Sequence, residues 1–282
     1  TPPSGTTDPN LENNTASDTD RLLFYLYLPL ILKPIPQPLE IPIELVLGYE
    51  DLPIFGGQND FDYNDWTVAV NGKLTFTSNT ADFLQKFSLS FTPRARGGTY
   101  DHTFQIRIPA QTFSSNGSIV VNLYDQNRSL INTRTIPFYS GMDNTVMIFS
   151  RTSDVFPGSV INTIEGTPNV APRQYADLTL TFDAPTPFTY SPANLNLAHG
   201  QGLFFDPTLL VLNNNEQIRR GDVRLLSIPT STWLWPEESI RVDRAYPLVI
   251  YLPGFPPDFL FPSGWWTVHN NCVFNGVACG AP

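Results

Sequence analysis

Thr103-Phe-Gln-Ile-Arg-Ile108 and Asp177-Leu-Thr-Leu-Thr-Phe-Asp183 decide the fold class. In the first, Phe104, Ile106 and Ile108 share one face, with Thr103, Gln105 and Arg107 opposite; in the second, Leu178, Leu180 and Phe182 line up in the same way. Side chains along a strand point alternately to opposite sides, so a period of two marks a half-buried antiparallel strand. Working outward, further strands are predicted over Trp66–Thr77, Phe83–Phe91, Ser118–Leu123, Thr145–Phe149, Leu209–Leu212, Val223–Ile228 and Leu248–Leu252. Gly, Pro, Asn and Asp punctuate these runs, and no window carries a sustained helical stripe. The expected fold is all-β: an antiparallel two-sheet β-sandwich with Greek-key or jelly-roll connections and an extended N-terminal strand arm.

Composition narrows the function classes. The 282 residues include 26 acidic and 16 basic side chains, a formal charge of −10, with 27 prolines and 18 glycines spread along the chain. That mixture excludes a coiled coil or helical bundle. The densest basic spots are Arg94-Ala-Arg96 and Arg219-Arg220, too sparse to neutralise a phosphate backbone, so no nucleic acid partner is expected. Anionic membrane surfaces are disfavoured for the same reason. The longest apolar run, Leu22–Leu32, contains Pro29. It is about half the roughly 20 residues a bilayer requires, so no membrane span is expected. Thr1–Asp20 is almost wholly polar, as a segment following a removed signal peptide can be, and the expected localisation is secreted or cell-surface.

Four regions follow: a polar leader over 1–20, an apolar strand with a Pro-rich arm over 21–42, a β-sandwich domain over 43–268, and a tail over 269–282. Arg21–Lys33 is apolar on both faces, and Pro34–Pro42 carries prolines at 34, 36, 38 and 42. The latter favours polyproline II, a semi-rigid spacer of about 28 Å. The strand has two readings. It folds back onto its own sandwich, or Leu22, Leu23, Phe24, Leu26, Leu28, Leu30 and Leu32 dock into a neighbouring copy and build a head-to-tail homopolymer. Cys272 and Cys279 are the two cysteines, and their spacing permits a small disulfide loop in an oxidising compartment.

The most chemical-looking stretch is Asp60-Phe-Asp-Tyr-Asn-Asp65, preceded by Glu50-Asp51. Asp60, Asp62 and Asn64 alternate and Asp65 follows, which supplies the oxygen-only ligands that calcium takes from a flexible loop. The run opens like an EF-hand, but Asp65 stands at its sixth position and Asn71 at its twelfth, so it is not one. A solvated turn capped by its own Asp and Asn side chains is the plainer alternative. Calcium is the expected cofactor, with Glu50, Asp51, Asp60, Asp62, Asn64 and Asp65 as its ligands, because carboxylates this close repel without a cation.

At this point the sequence resembles a family. Glu50-Asp51-Leu52 and Asp60–Asp65, then Arg94-Ala-Arg96-Gly97, Tyr100–Pro109 and Asn162-Thr163, occur in that order. Trp235-Pro-Glu-Glu238, Ile240, Ala245-Tyr-Pro247 and Trp265-Trp266 complete the set. Together they resemble the LruC-type domain of exported bacterial surface proteins over about Ile43–Val268. Pro53-Ile-Phe-Gly-Gly57 and Pro253-Gly-Phe-Pro-Pro257 depart from its pattern. The resemblance implies a secreted or surface β-domain with no reaction attached, and a shared structural role for Asp60, Asp62, Asn64 and Asp65.

Catalytic signatures are scarce. His102, His199 and His269 are far apart, and there is no nucleophile elbow, zinc-protease helix or P-loop. Glu237-Glu238 and the nearby Trp233, Trp235, Trp265 and Trp266 admit two readings, a turn with a core corner or a carbohydrate site. The expectation is therefore a non-enzyme: an extracellular structural subunit of a pilus-like filament that donates its N-terminal strand and is stabilised by calcium. The alternative is a monomeric calcium-dependent adhesin that contacts glycans through Trp265 and Trp266. A glycan-cleaving enzyme dependent on Glu237 is the weaker third.

Overall fold

A computed structural model describes residues 4–5, 37–53, 59–164, 166–189, 198–253 and 258–274. The chain divides into a short unit, Thr1–Ile35, and a body, Pro36–Pro282. The expected polymerisation strand, with Leu22, Leu23, Phe24, Leu26, Leu28, Leu30 and Leu32, lies outside the described residues.

Along the body run β1 (Glu40–Tyr49), β2 (Trp66–Phe76), β3 (Phe83–Ala95), β4 (His102–Ile108), β5 (Gly117–Asp125), β6 (Leu130–Phe138) and β7 (Asn144–Phe149). After a helical turn, α1 (Thr152–Val155), come β8 (Gln174–Pro187), β9 (Asp206–Val211), β10 (Glu216–Ile218) and β11 (Leu225–Ile228). A second turn, α2 (Val242–Ala245), precedes β12 (Ile250–Leu252) and β13 (Asp258–Leu260). One sheet has the order β11-β1-β2-β3-β8-β5-β6, a second β10-β9-β4-β7, and β12 pairs with β13. The ladders are antiparallel, so the structure is the all-β sandwich that the alternation predicts.

The inner faces of the two larger sheets share one core. Phe104 on β4 lies 5.7 Å from Phe91 on β3 and 6.2 Å from Tyr49 on β1, both edge-on. Such pairs contribute about 0.5–1.5 kcal/mol beyond the burial of their area. The outer face of the first sheet is buried as well, at one end. Val46, Ala69, Ala95, Leu226 and Ile228 pack there against Trp233, Trp235, Tyr246, Phe259 and Trp265 from the C-terminal segment. Small residues make this third layer fit: a Cβ at Gly48 would stand 3.1 Å from the Trp233 ring.

Strand ends differ from the expectation where prolines sit. β1 begins at Glu40, so the last residues of the expected spacer are in the sheet. Pro42 is accommodated because β1 meets β11 only at Val46–Tyr49, which leaves the far side of residues 40–45 open and needing no N–H. β3 runs on to Ala95 through Pro93 because its pairing with β8 ends at Phe91. The expected strands do not include β1, nor β6, which is largely exposed, nor the three-residue strands β10 and β13.

Candidate metal centre

Register explains why distant carboxylates meet. Tyr49 pairs with Trp66 at the end of the β1–β2 ladder, so the chain just beyond the first and just before the second are neighbours. Glu50-Asp51 therefore faces Asn64-Asp65. The end of β3 joins them, since Ala95 pairs with Thr67 and Gly97 donates its N–H to the Asn64 and Asp65 carbonyls.

The loop over residues 59–65 sorts its side chains by alternation. Phe61 and Tyr63 adopt left-handed backbone, φ 53° and 55°, and bury their rings in the C-terminal layer. That conformation costs an L-residue about 1–2 kcal/mol, offset here by packing: Phe61 lies 5.2 Å from Phe259, and the Tyr63 hydroxyl donates to the Val223 carbonyl at 2.7 Å. Asp60, Asp62 and Asn64 between them go to the acidic side.

Two sets of carboxylates result, Glu50-Asp60-Asp62 and Glu50-Asp51-Asp65, the ligand atoms within each lying no more than 4.8 Å apart. Glu50, Asp51, Asp62, Asn64 and Asp65 are buried and Asp60 is half-buried. Backbone donors fix several oxygens. Asp51 N–H donates to Asp65 Oδ2 at 2.6 Å, Leu52 N–H to Glu50 Oε1 at 3.0 Å, and Asn64 and Ser239 N–H to Asp62 at 3.2 and 2.9 Å. His102 Nε2 lies 2.8 Å from Asp51 Oδ2 and orients it, while its Nδ1 meets the Thr152 hydroxyl. Asn64 Nδ2 donates to the Pro236 carbonyl, and its amide oxygen lies against Gly97.

Two fully buried oxygens, Glu50 Oε2 and Asn64 Oδ1, have no hydrogen-bond donor among the described residues. Stranding a buried acceptor costs about 1–3 kcal/mol, more for a charged one. Gly97 and Gly98 keep the space beside them open. A Cβ on Gly97 would fall 1.9 Å from Asn64 Oδ1, and one on Gly98 would fall 2.5 Å from Asp51 Oδ2 and 2.8 Å from Asp65 Oδ1. Burial, then the Asp65, Asp62 and Asp60 charges, pushes the Glu50 carboxyl well above its usual range. Burial, followed by neighbouring carboxylates, does the same to Asp62 and Asp65. Glu238 is pushed up to about 7, chiefly by burial, then by Asp60 and Asp51 against a Thr163 hydrogen bond. Oxygens without sulfur or imidazole in the donor set fit a hard cation such as calcium rather than zinc.

The six expected ligands, Glu50, Asp51, Asp60, Asp62, Asn64 and Asp65, are thus brought together. Sequence reasoning left out Gly97, Gly98 and the orienting His102. The glycine pair follows Arg96 in the family-like motif, but only the fold shows what it makes room for. Asn162 serves packing: it donates to the Arg94 and Val170 carbonyls at 2.7 and 2.9 Å and accepts from Val170 N–H. The expected glycan contacts separate. Trp265 is buried with its ring 4.9 Å from Tyr246 and 5.1 Å from Phe261, a core corner, whereas Trp266 is half-buried. Cys272 is half-buried, and Cys279 lies outside the described residues. No helix of the described residues is long and apolar enough to cross a membrane.

Residues 82–208 match a family model described as a domain of unknown function, DUF4842. The match spans β3 to β9 and includes the glycine pair but not the acidic loop. No curated protein matches the chain. Among solved structures, the chain is similar to a "putative lipoprotein" from Bacteroides ovatus, with 11% identity, a TM-score of 0.50, and coverage of 74% of this chain and 70% of that one. The likeness is one of fold.

Proposed function

We propose that this chain is a non-catalytic, calcium-stabilised β-sandwich module of an exported bacterial surface protein of the LruC type. The observation that carries the calcium reading is the pair of buried, donor-less oxygens, Glu50 Oε2 and Asn64 Oδ1, within a cluster of carboxylates. Such a cluster without a cation is self-repelling, and with one it staples β1, β2 and β3 to the C-terminal layer. Extracellular calcium modules work at about 10⁻⁴–10⁻³ M, a range in which the ion is abundant outside cells and scarce inside. The resemblance in sequence and the Bacteroides likeness support the exported setting, and a Cys272–Cys279 loop closed by a disulfide accords with it. Scanning calorimetry of the chelated and calcium-saturated protein tests the reading. Calcium at 10–100 times its dissociation constant adds about 1.4–2.7 kcal/mol, a rise of about 3–10 °C. Identical melting curves would sink it.

One observation favours assembly as the module's task. β6 is an edge of the seven-stranded sheet, pairs with β5 alone among the described residues, and exposes Leu130 and Ile131 by 59% and 53%. Beside it Met147 on β7, whose carbonyl accepts from Arg134, is exposed too. An open edge with Leu130 and Ile131 exposed suits strand addition, and Leu22–Leu32 of a neighbouring copy is the proposed donor. Negative-stain microscopy of the intact chain beside one lacking Thr1–Lys33 should show filaments from the intact chain only. Compact particles from both would favour the monomeric adhesin, with Trp266 as its glycan contact.

A further inference from the structure

The carboxylates do not converge on one point. They form two trios that share Glu50, one with Asp60 and Asp62 and one with Asp51 and Asp65, each closing to within 4.8 Å. The two donor-less oxygens belong to different places in this arrangement. Glu50 Oε2 is on the residue common to both trios. Asn64 Oδ1 lies against Gly97, whose neighbour Gly98 approaches Asp51 Oδ2 and Asp65 Oδ1. One unsatisfied oxygen is therefore common to both trios, and the other lies beside the glycine pair that borders Asp51 and Asp65.

We propose that the centre holds two calcium ions bridged by the Glu50 carboxylate, one held with Asp60 and Asp62, the other with Asp51, Asp65 and Asn64. This deepens the calcium reading and rests on it. Charge supports it. One dication leaves the five carboxylates, when ionised, three charges in excess in a largely buried place, whereas two leave a single charge. Uncompensated buried charge is among the costliest features a fold can carry. Ligand number supports it too. Calcium takes six to eight oxygens, and each side offers protein ligands from three or more residues, with water and backbone carbonyls to complete the shell. Asp51 is oriented by His102 and Asp62 by Ser239 N–H, so both outer ligands are held from behind, as ligands in metal centres usually are.

Native mass spectrometry of the full chain, stripped with chelator and returned to calcium chloride, counts the ions directly. Two per chain are expected, falling to one in Asp60→Asn and to one in Asp65→Asn. Circular dichroism of both variants in calcium confirms that they fold, and the wild-type count stands without them. A wild-type count of one would overturn the two-ion inference and leave the calcium reading intact. A count of zero would overturn both. Two ions unaffected by either substitution would place them elsewhere and overturn the assignment.

Discussion

Gly98→Ala is a perturbation whose effect follows from the geometry. Gly98 does not have a positive φ, so its backbone accepts alanine, and the reason for glycine is space. The added methyl would stand 2.5 Å from Asp51 Oδ2 and 2.8 Å from Asp65 Oδ1. Carbon–oxygen contacts are comfortable from about 3.3 Å, so the overlaps are about 0.8 and 0.5 Å. Without calcium the two carboxylates are held only by the Asp51 N–H and His102 contacts and can shift at a lower cost. With calcium they are fixed by the ion, and the overlap costs what overpacking usually does, about 1–3 kcal/mol. For a body of this size that is a fall in Tm of about 2–10 °C in millimolar calcium, against less than about 2 °C in chelator. Thermal melts of wild type and variant in both conditions read the difference. Equal falls in the two would make Gly98 a packing residue only and refute the argument.

Other consequences follow from the same contacts. In chelator, Glu50, Asp62, Asp65 and Glu238 have folded-state values above their unfolded ones, so each contributes stability that is complete below the unfolded value and lost as pH rises through the folded one. The chelated protein should thus gain Tm as pH falls from about 8 through the Glu238 value near 7 to about 6, whereas the calcium form should lose it because protons compete with the ion. Parallel pH profiles would contradict this. Trp235→Phe removes the indole N–H that donates to the Asn162 carbonyl at 2.7 Å. A cost of about 1–3 kcal/mol in urea unfolding is expected, the same with and without calcium; no loss would show that the carbonyl finds another donor.

Much of this was legible in the sequence, for identifiable reasons. β4 and β8 alternate cleanly because one face of each meets the core, and the D-F-D-Y-N-D loop alternates because its aromatics and acids go to opposite sides. β1 as a whole went unpredicted: it begins inside the Pro-rich segment, and Pro42, which local rules place outside a sheet, is excused only by the open edge. β6 was hidden by exposure, since a strand with little to bury carries little pattern. The C-terminal layer has aromatic content without periodicity, because Trp233, Trp235 and Trp265 pack from short turns rather than from strands or helices. The glycine pair at 97–98 has meaning only through the pairing of β2 with β3, a non-local fact.

The acidic centre also gives the third layer a reason to stay in place. Asp62 accepts from Ser239, Asn64 donates to Pro236, and Val242 donates to the Phe61 carbonyl, so the loop that carries the ligands is also the seam between sheet and C-terminal segment. On the calcium reading, ion binding and docking of that layer are one equilibrium, and loss of the ion should loosen the tryptophan-rich segment first.

The central claim is that a cation satisfies Glu50 Oε2 and Asn64 Oδ1. Anomalous diffraction from crystals of the full chain grown in calcium chloride near neutral pH tests it most directly. The account predicts a calcium peak at about 2.3–2.6 Å from both the Glu50 carboxylate and its neighbouring aspartates. An ordered structure with no anomalous peak there, and with water or carboxyl–carboxyl contacts in its place, would contradict it.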